Sequence, residues 1–331
     1  MDLFTPLVPE SDLHPNFRRL LDKHSEADRQ VLKQWSDGFF DRDGKFIREF
    51  QTTFNSGFWE LYIFACCKEM QFNVDFSFGS PDFVINNFHR EFCIEAVIAS
   101  NARGEEAEWE RDLQARPDLE AVLDTAVIRL SNAIQSKYKR YLDFYHALPQ
   151  VKGNPFVLAV GPFEQPSFWA HNDHAIRQVL YGYDRIGPDG KHQFRKVISK
   201  PSGSTIDLGL FTSSKMPEIS AVLFSNTATM SKVHALNSEV SELMWFSALR
   251  FNHHGPHPYL QNASKLDYRE SLLDGLYVFH NPHAHLRLDA RVFNHDDITQ
   301  ATLVGDSPVP RYKCKHGHLI QRSSMQIRAR D

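Results

Sequence analysis

Two short runs of the sequence, PDFVINN (residues 81–87) and EFCIEAVIAS (residues 91–100), are rich in the β-branched and aromatic residues typical of strands. Each run nevertheless contains a carboxylate: Asp82 near the start of the first and Glu95 in the middle of the second. Burying a carboxylate is costly unless a partner compensates its charge. That requirement constrains the fold of this chain more than any other feature of the sequence.

The two runs are predicted to form a β-hairpin with residues 87–90 as its loop, so that Val84 faces Cys93 and Asp82 faces Glu95. Opposed residues place their Cβ atoms roughly 4.5–5.5 Å apart on one face of a sheet. Two carboxylates so close require a proton on one of them or a cation between them, and a hard divalent ion such as Mg²⁺ suits their oxygens. The alternative is that Asp82 is hydrated at the open end of its strand while Glu95 pairs with an arginine.

Helices predicted on both sides of these strands offer partners for the acids. In RLSNAIQSKYKRY, Lys137 lies on or beside the apolar stripe of Leu130 and Ile134, which should pack on the sheet. A lysine so placed either extends to the edge of the helix or meets a buried anion, and the acid pair is the expected anion. In SGFWELYIFACCKEM, Glu60 lies among large apolar residues and needs a lysine or a shared metal ion.

The predicted elements follow the order α-β-β-β-α-β between about residues 51 and 162, which indicates an α/β fold with three layers and a mixed sheet. Residues 1–50 are predicted to be a helical lead-in, and residues 163–331 an α/β extension that packs on the core or extends its sheet. In that extension we predict a helix in SFWAHNDHAIRQVLYG, strands in EISAVLFSN and DGLYVFHNPHAHLRLDA, and a hairpin in RIGPDGKHQFRK.

With this order and these residues, the chain resembles the PD-(D/E)xK nuclease superfamily, which has the restriction-endonuclease-like fold, and within it a bacterial lineage. Pro81-Asp82 matches the proline–aspartate of the family, Glu95 its second acid, and Glu60 a first-helix glutamate that many members use as a metal ligand. The resemblance covers about residues 50 to 162, roughly a third of the chain.

One position departs from the pattern of the family. A lysine is expected two residues after the second acid, and this chain has Val97 there. Some members supply the lysine from the following helix, so Lys137 is the expected replacement. Without that lysine, the fold would be a catalytically inactive module that binds nucleic acid or protein, which is our second hypothesis.

The resemblance implies an endonuclease that depends on Mg²⁺ or Mn²⁺ and hydrolyses DNA, with RNA as the less favoured substrate, in defence against foreign DNA. Asp82, Glu95 and the carbonyl of Ala96 would hold the metal ion, and Glu60 would complete the shell or hold a second ion. The ion would lower the pKa of a bound water, and Lys137 would direct that water at the scissile phosphate. A homodimer, or a subunit of a larger complex, is expected because one site cuts one strand.

Contacts to nucleic acid are expected at local basic runs, because the formal net charge of −4 argues against a general basic surface. One run contains Arg195 and Lys196, and the other, in the tail RYKCKHGHLIQRSSMQIRAR, contains Lys313 and Lys315. Lysines and arginines in such runs pair with backbone phosphates. The alternative for the tail is a disordered, solubilising end.

A third hypothesis is a zinc-stabilised assembly protein that uses the late histidine and cysteine tracts. Cys314, His316 and His318 form the most suggestive of these, although no tract has the paired spacing of a structural zinc site. The chain has no glycine-rich phosphate loop and no nucleophile elbow, so neither ATP nor a dinucleotide is expected.

A cytoplasmic location without a membrane partner is expected from three features of the sequence. The four cysteines do not form a disulfide framework. No apolar stretch approaches the roughly 20 residues that a membrane span needs. The start, MDLFTPLVPESD, lacks the basic and apolar regions of a signal peptide.

Overall fold

The computed structural model describes residues 1–87, 90–110, 118–239, 243–255, 257–315 and 317–326. The helices in these ranges are α1 (Pro15–Leu20), α2 (Glu26–Ser36), α3 (Phe46–Thr52), α4 (Phe54–Glu69), α5 (Leu119–Asp143), α6 (His174–Tyr181) and α7 (Met230–Leu236). The strands are β1 (Asn73–Asp75), β2 (Phe83–Asn87), β3 (Arg90–Ser100), β4 (Phe156–Phe163), β5 (Tyr183–Ile186), β6 (His192–Phe194), β7 (Val197–Ser199), β8 (Thr205–Asp207), β9 (Ile219–Phe224), β10 (Met244–Arg250), β11 (Tyr259–Ser264), β12 (Tyr277–His280), β13 (Thr299–Thr302), β14 (Arg311–Lys313) and β15 (Leu319–Gln326).

A sheet of eight strands, in the order β1-β2-β3-β4-β9-β12-β13-β14, forms the centre of the fold. The first three strands pair antiparallel, whereas β3, β4 and β9 run parallel to one another and β12 runs antiparallel to β9. The predicted α/β class with a mixed sheet is therefore confirmed. Strands from both sides of residue 162 belong to this one sheet.

Helices α4 and α5 cover opposite faces of the sheet, which gives the three layers. Successive strand residues point to opposite faces, so Ile94 belongs to the core under α4 and Cys93 to the core under α5. Helix α4 is apolar on nearly every side because it lies between the sheet and the N-terminal helices. The ring of Trp59 packs so closely on β4 that a Cβ at Gly161 would lie 2.8 Å from it.

The position of α5 follows from its cap and its buried stripe. The side chain of Asp118 accepts hydrogen bonds from the backbone N–H groups of residues 120 and 121, which fixes the start of the helix. Ala126, Leu130 and Ile134 recur at helical spacing and are fully buried against the sheet. Lys137 follows Ile134 by three residues and therefore continues that stripe toward the acids of β2 and β3.

In the C-terminal half, one predicted hairpin is present and one predicted strand is much shorter than expected. The hairpin in RIGPDGKHQFRK is confirmed as the antiparallel pair β5–β6. The prediction of a strand throughout DGLYVFHNPHAHLRLDA was wrong, because only Tyr277–His280 is a strand. After it, Asn281 bonds the carbonyls of Met216 and Ile219, and Pro282 offers no N–H to a ladder.

The last described strand, β15, belongs to a second sheet of three strands in the order β11-β10-β15. Its Arg322 is buried and bonds both carboxylate oxygens of Glu270 at 2.8 and 3.1 Å, while Lys232 of α7 lies 2.5 Å from Glu270. The alternative of a disordered tail is therefore wrong for residues 319–326. Arg322 is also not free to contact phosphate.

None of the helices in the described ranges has both the length and the apolar character needed to cross a bilayer.

Candidate functional site

The hairpin of β2 and β3 has the register predicted from the sequence. Val84 pairs with Cys93, and Asp82, one residue before β2, lies beside Glu95. The Asp82 backbone N–H donates to Glu95 Oε2 at 3.3 Å, and Asp82 Oδ2 accepts from the Ala96 N–H at 2.7 Å. Where β2 begins, carboxylate oxygens therefore accept hydrogen bonds from backbone N–H groups in place of the carbonyls of the neighbouring strand. These two bonds hold Asp82 and Glu95 next to each other. The prediction of a four-residue loop was wrong, because residues 87 and 90 pair with each other as the last pair of the ladder. Residues 88 and 89 lie outside the described residues.

Lys137 meets these acids from the helix above them. Its Nζ donates to Glu95 Oε1, and the Tyr145 hydroxyl donates to the same oxygen at 2.7 Å. The Glu95 side chain is only 4% exposed, so both donors compensate a buried charge. Arg140 Nε in turn donates to the Tyr145 hydroxyl at 3.0 Å. The alternative in which Glu95 pairs with an arginine is thus wrong, because its partners are a lysine and a tyrosine.

Glu60 reaches the same cluster from α4, on the other face of the sheet. Burial, and then the negative charge of Asp82, raise the pKa of Glu60 to about 8. The pKa of Asp82 rises to about 7, first through burial and then through the charge of Glu95, although the Ala96 N–H, Lys137 and nearby Arg42 oppose that rise. With Glu60, Asp82 and Glu95 all ionised, the cluster would carry three negative charges against the positive charges of Lys137 and Arg42.

Arg42 is a member of the site that the sequence did not indicate. Its NH1 donates to the carbonyls of Phe78 and Pro81 at 2.7 and 3.1 Å, and its NH2 lies 4.0 Å from Asp82 Oδ1. The guanidinium thus holds the segment before Asp82 in place and adds a positive charge beside it. In the sequence it lies in a charged turn 40 residues earlier, and nothing local distinguishes it from a surface arginine.

The donors of this cluster suit a hard divalent cation. Carboxylate and carbonyl oxygens are the ligands that Mg²⁺ and Mn²⁺ prefer. Burial is the first cause of the raised pKa values of Glu60 and Asp82, and such an ion would offset the second, which is the charge of the neighbouring carboxylate. Because the N–H and C=O of a strand residue point to the same side, the Ala96 carbonyl faces the same edge as its N–H, toward Asp82.

The number of protein ligands is nevertheless small. Within the described ranges, no group of three or more His, Cys, Asp and Glu side chains is arranged to hold a metal ion. An ion here would therefore rest on Asp82, Glu95, the Ala96 carbonyl and water, with Glu60 acting through a water. Mg²⁺ commonly binds with one or two carboxylates and several waters.

The four residues predicted to bind nucleic acid lie away from the acids. Arg195 pairs with Asp124 of α5, and Asp124 is 13 residues before Lys137, or about 20 Å along the helix. Lys313 is on β14, five strands from β3 and thus about 24 Å away. Lys315 pairs with an aspartate at 2.6 Å, and Lys196 is exposed. Their binding to nucleic acid stays a prediction.

Two of the late histidine and cysteine tracts meet around one sulfur atom. Cys314 Sγ lies 3.8 Å from His253 Nε2 and 3.4 Å from His318 Nδ1. Burial lowers the pKa of His318 to about 4, which keeps its ring neutral. His316 lies outside the described residues. Zinc binding by these residues stays a prediction.

A separate cavity of about 610 Å³ lies between the N-terminal helices and α7. It is next to Phe163, the last residue of β4, where open parallel sheets often bind ligands. Asp28 in its wall accepts a bond from Asn237 Nδ2 at 2.7 Å and lies 3.2 Å from His234 Nε2. Asp28 is thus paired, whereas His234 Nδ1 is buried without a hydrogen-bond partner in the described part of the chain.

Comparison of the chain with protein-family models, with curated proteins and with solved structures gives no match.

Proposed function

We propose that this chain is a metal-dependent nuclease of the restriction-endonuclease-like type that hydrolyses phosphodiester bonds in DNA. The observation that supports this most strongly is the meeting of Asp82 and Glu95, from neighbouring strands, with Lys137 from the helix that crosses over the sheet. The element order α4-β1-β2-β3-α5-β4 is the order expected of that core. A role in defence against foreign DNA, and action as a dimer or in a complex, rest on analogy of fold alone.

The acids would bind the metal ion, and the remaining residues would prepare the substrate. Asp82, Glu95 and the Ala96 carbonyl would hold Mg²⁺ or Mn²⁺, which when bound lowers the pKa of a water and offsets charge on the phosphate. Lys137 would donate hydrogen bonds to the attacking water and to a phosphate oxygen. Tyr145 would keep Glu95 oriented while Lys137 exchanges its bond to the carboxylate for one to the substrate.

Val97 does not count against catalysis, because Lys137 reaches the same face of the sheet. Residues 93, 95 and 97 of β3 alternate onto the side covered by α5, and Val97 packs there beneath that helix. A lysine at position 97 would project from this face, and Lys137 approaches the same face from above. The amine that contacts Glu95 therefore comes from α5 instead of from position 97 of β3.

A catalytically inactive module is the second candidate. Glu95 Oε1 already accepts from both Lys137 and Tyr145, so one oxygen of the acid pair is saturated by the protein itself. A site closed in this way would serve as a structural ion pair. In that case nucleic acid should bind without being cleaved, and binding should persist after substitution of Asp82.

The test is cleavage by the full chain with and without a divalent ion. Supercoiled plasmid, single-stranded circular DNA and RNA are each incubated with the protein and Mg²⁺, Mn²⁺ or EDTA, beside the Asp82→Asn variant. Asp189→Asn, in an exposed hairpin turn, serves as the matched control. Cleavage that needs both the metal ion and Asp82, and that survives in Asp189→Asn, is expected. Absence of such cleavage on every substrate rejects the nuclease proposal.

A further inference from the structure

Two large aromatic side chains are exposed in segments next to residues of the acid cluster, Phe144 just after α5 and Phe40 before α3. Phe40 is 59% exposed, and Phe144 is 42% exposed. Burying a phenylalanine is favourable, so a ligand at this site that covered either ring would gain free energy from that contact. Their neighbours along the chain connect each of them directly to the acids.

Phe144 is joined to Glu95 through the next residue. The ring of Phe144 lies 5.4 Å from that of Tyr145, whose hydroxyl bonds Glu95. The guanidinium of Arg140 lies over both rings, 5.3 Å from the centre of Phe144 and 5.4 Å from that of Tyr145. This side of the site therefore presents an aromatic face and a positive charge together.

Phe40 packs on the α4 side of the sheet, whereas Tyr145, next to Phe144, belongs to the core under α5. Phe40 is two residues from Arg42, which bonds the carbonyls of Phe78 and Pro81 and lies beside Asp82. Its ring packs at 6.3 Å against Phe76, so one side of it is supported while the rest faces solvent. Each exposed ring is therefore within two residues of a side chain that contacts Asp82 or Glu95.

We propose that this site takes a nucleic-acid strand with unpaired bases, which stack on Phe40 and Phe144 while Lys137 and Arg140 contact the phosphates. Rings stack on the faces of bases, and those faces are hidden inside a duplex. Arg140 over the Phe144 ring, together with Lys137, complements the phosphate charge, which distinguishes this surface from one that would bind an apolar protein partner. The inference deepens the proposed function by naming the substrate class, but binding can be measured without cleavage.

The test measures binding of fluorescein-labelled 20-nucleotide strands by anisotropy, in EDTA so that nothing is cut. Single-stranded DNA, single-stranded RNA and duplex DNA are compared for Phe40→Ala and Phe144→Ala. Ile186→Ala, 59% exposed on the β5–β6 hairpin, is the matched control. Each phenylalanine variant should bind single strands roughly 5- to 150-fold more weakly, equivalent to about 1–3 kcal/mol, with duplex affinity unchanged. Phe40→Trp and Phe144→Trp should bind single strands as well as the original chain does, which separates stacking from damage to the fold.

Two results would overturn the inference: tighter binding of duplex than of single strands, or phenylalanine variants that bind single strands as well as Ile186→Ala does. Either can occur while metal-dependent cleavage of plasmid persists, in which case only the substrate class is wrong. Conversely, stacking-dependent binding of single strands without any cleavage supports this inference and rejects the nuclease. The DNA and RNA arms decide which strand is preferred.

Discussion

The crowding of carboxyl groups around Asp82 should make the protein less stable as pH rises from 5 to 8 in the absence of divalent ions. Glu60, with a pKa of about 8, and Asp82, with a pKa of about 7, keep their protons in the folded chain. In the unfolded chain the same groups have lost their protons above about pH 5. The folded state then binds more protons than the unfolded state, so the free energy of unfolding falls with pH. The stabilisation is complete below about pH 4 and is lost as pH passes 7 to 8.

The size of this effect follows from the two groups and the length of the chain. One group that is protonated only in the folded state contributes a slope of about 1.4 kcal/mol per pH unit, and two contribute up to about 2.7 kcal/mol. The unfolding entropy of 331 residues is about 0.7 kcal/mol per degree near the melting temperature. The melting temperature should therefore fall by about 2 to 4 °C per pH unit. The Asp82 side chain is 26% exposed, which favours the lower value.

The assay is thermal unfolding followed by intrinsic fluorescence between pH 5 and 8.5, in EDTA and again in Mg²⁺. Glu60→Gln removes one titrating group and should roughly halve the slope in EDTA, with a higher melting temperature than the original chain at pH 8. Glu10→Gln, at an exposed position near the N-terminus, should change neither the slope in EDTA nor the melting temperature at pH 8. Mg²⁺ should flatten the slope because it offsets the repulsion. A melting temperature that does not fall between pH 5 and 8, or a Glu60→Gln variant with an unchanged slope, refutes the reasoning.

Three further predictions concern single side chains. Lys137→Met should lower the rate of metal-dependent cleavage about 100-fold or more in single-turnover assays, with far-UV circular dichroism unchanged; a rate within threefold of the original contradicts its role. Tyr145→Phe removes one donor from buried Glu95 and should lower the free energy of urea unfolding by about 1–3 kcal/mol at pH 7. Arg322→Met leaves Glu270 without the NH1 group that bonds both of its oxygens and should cost about 3–5 kcal/mol in the same assay, so a loss below 1 kcal/mol is incompatible with the buried network.

The acid pair and its lysine could be predicted from the sequence because local periodicity determines their positions. A hairpin register depends on alternation of period two, which was enough to place Asp82 beside Glu95. The apolar stripe of a helix depends on a spacing of three and four residues, and this spacing was enough to place Lys137 beside the acid pair. Both patterns are properties of a few consecutive residues.

The remaining members of the site depend on connections that local patterns do not encode. Tyr145 reaches Glu95 only because α5 ends at residue 143 and the chain turns back over the sheet. Arg42 is placed by the packing of the loop before α3. The sheet of β10, β11 and β15 was not predicted, since its register joins residue 244 to residue 326 across more than 80 residues.

Strand β15 is the last element of the described chain to leave the ribosome, and this has a consequence for biosynthesis. Until it emerges, the nascent polypeptide has an open edge along β10, and open edges are templates for aggregation. Glu270 also pairs with Lys232 alone until Arg322, its second cationic partner, has been synthesised. Translation that pauses before this point should therefore yield a species that depends on chaperones, and premature termination there should yield one that is degraded.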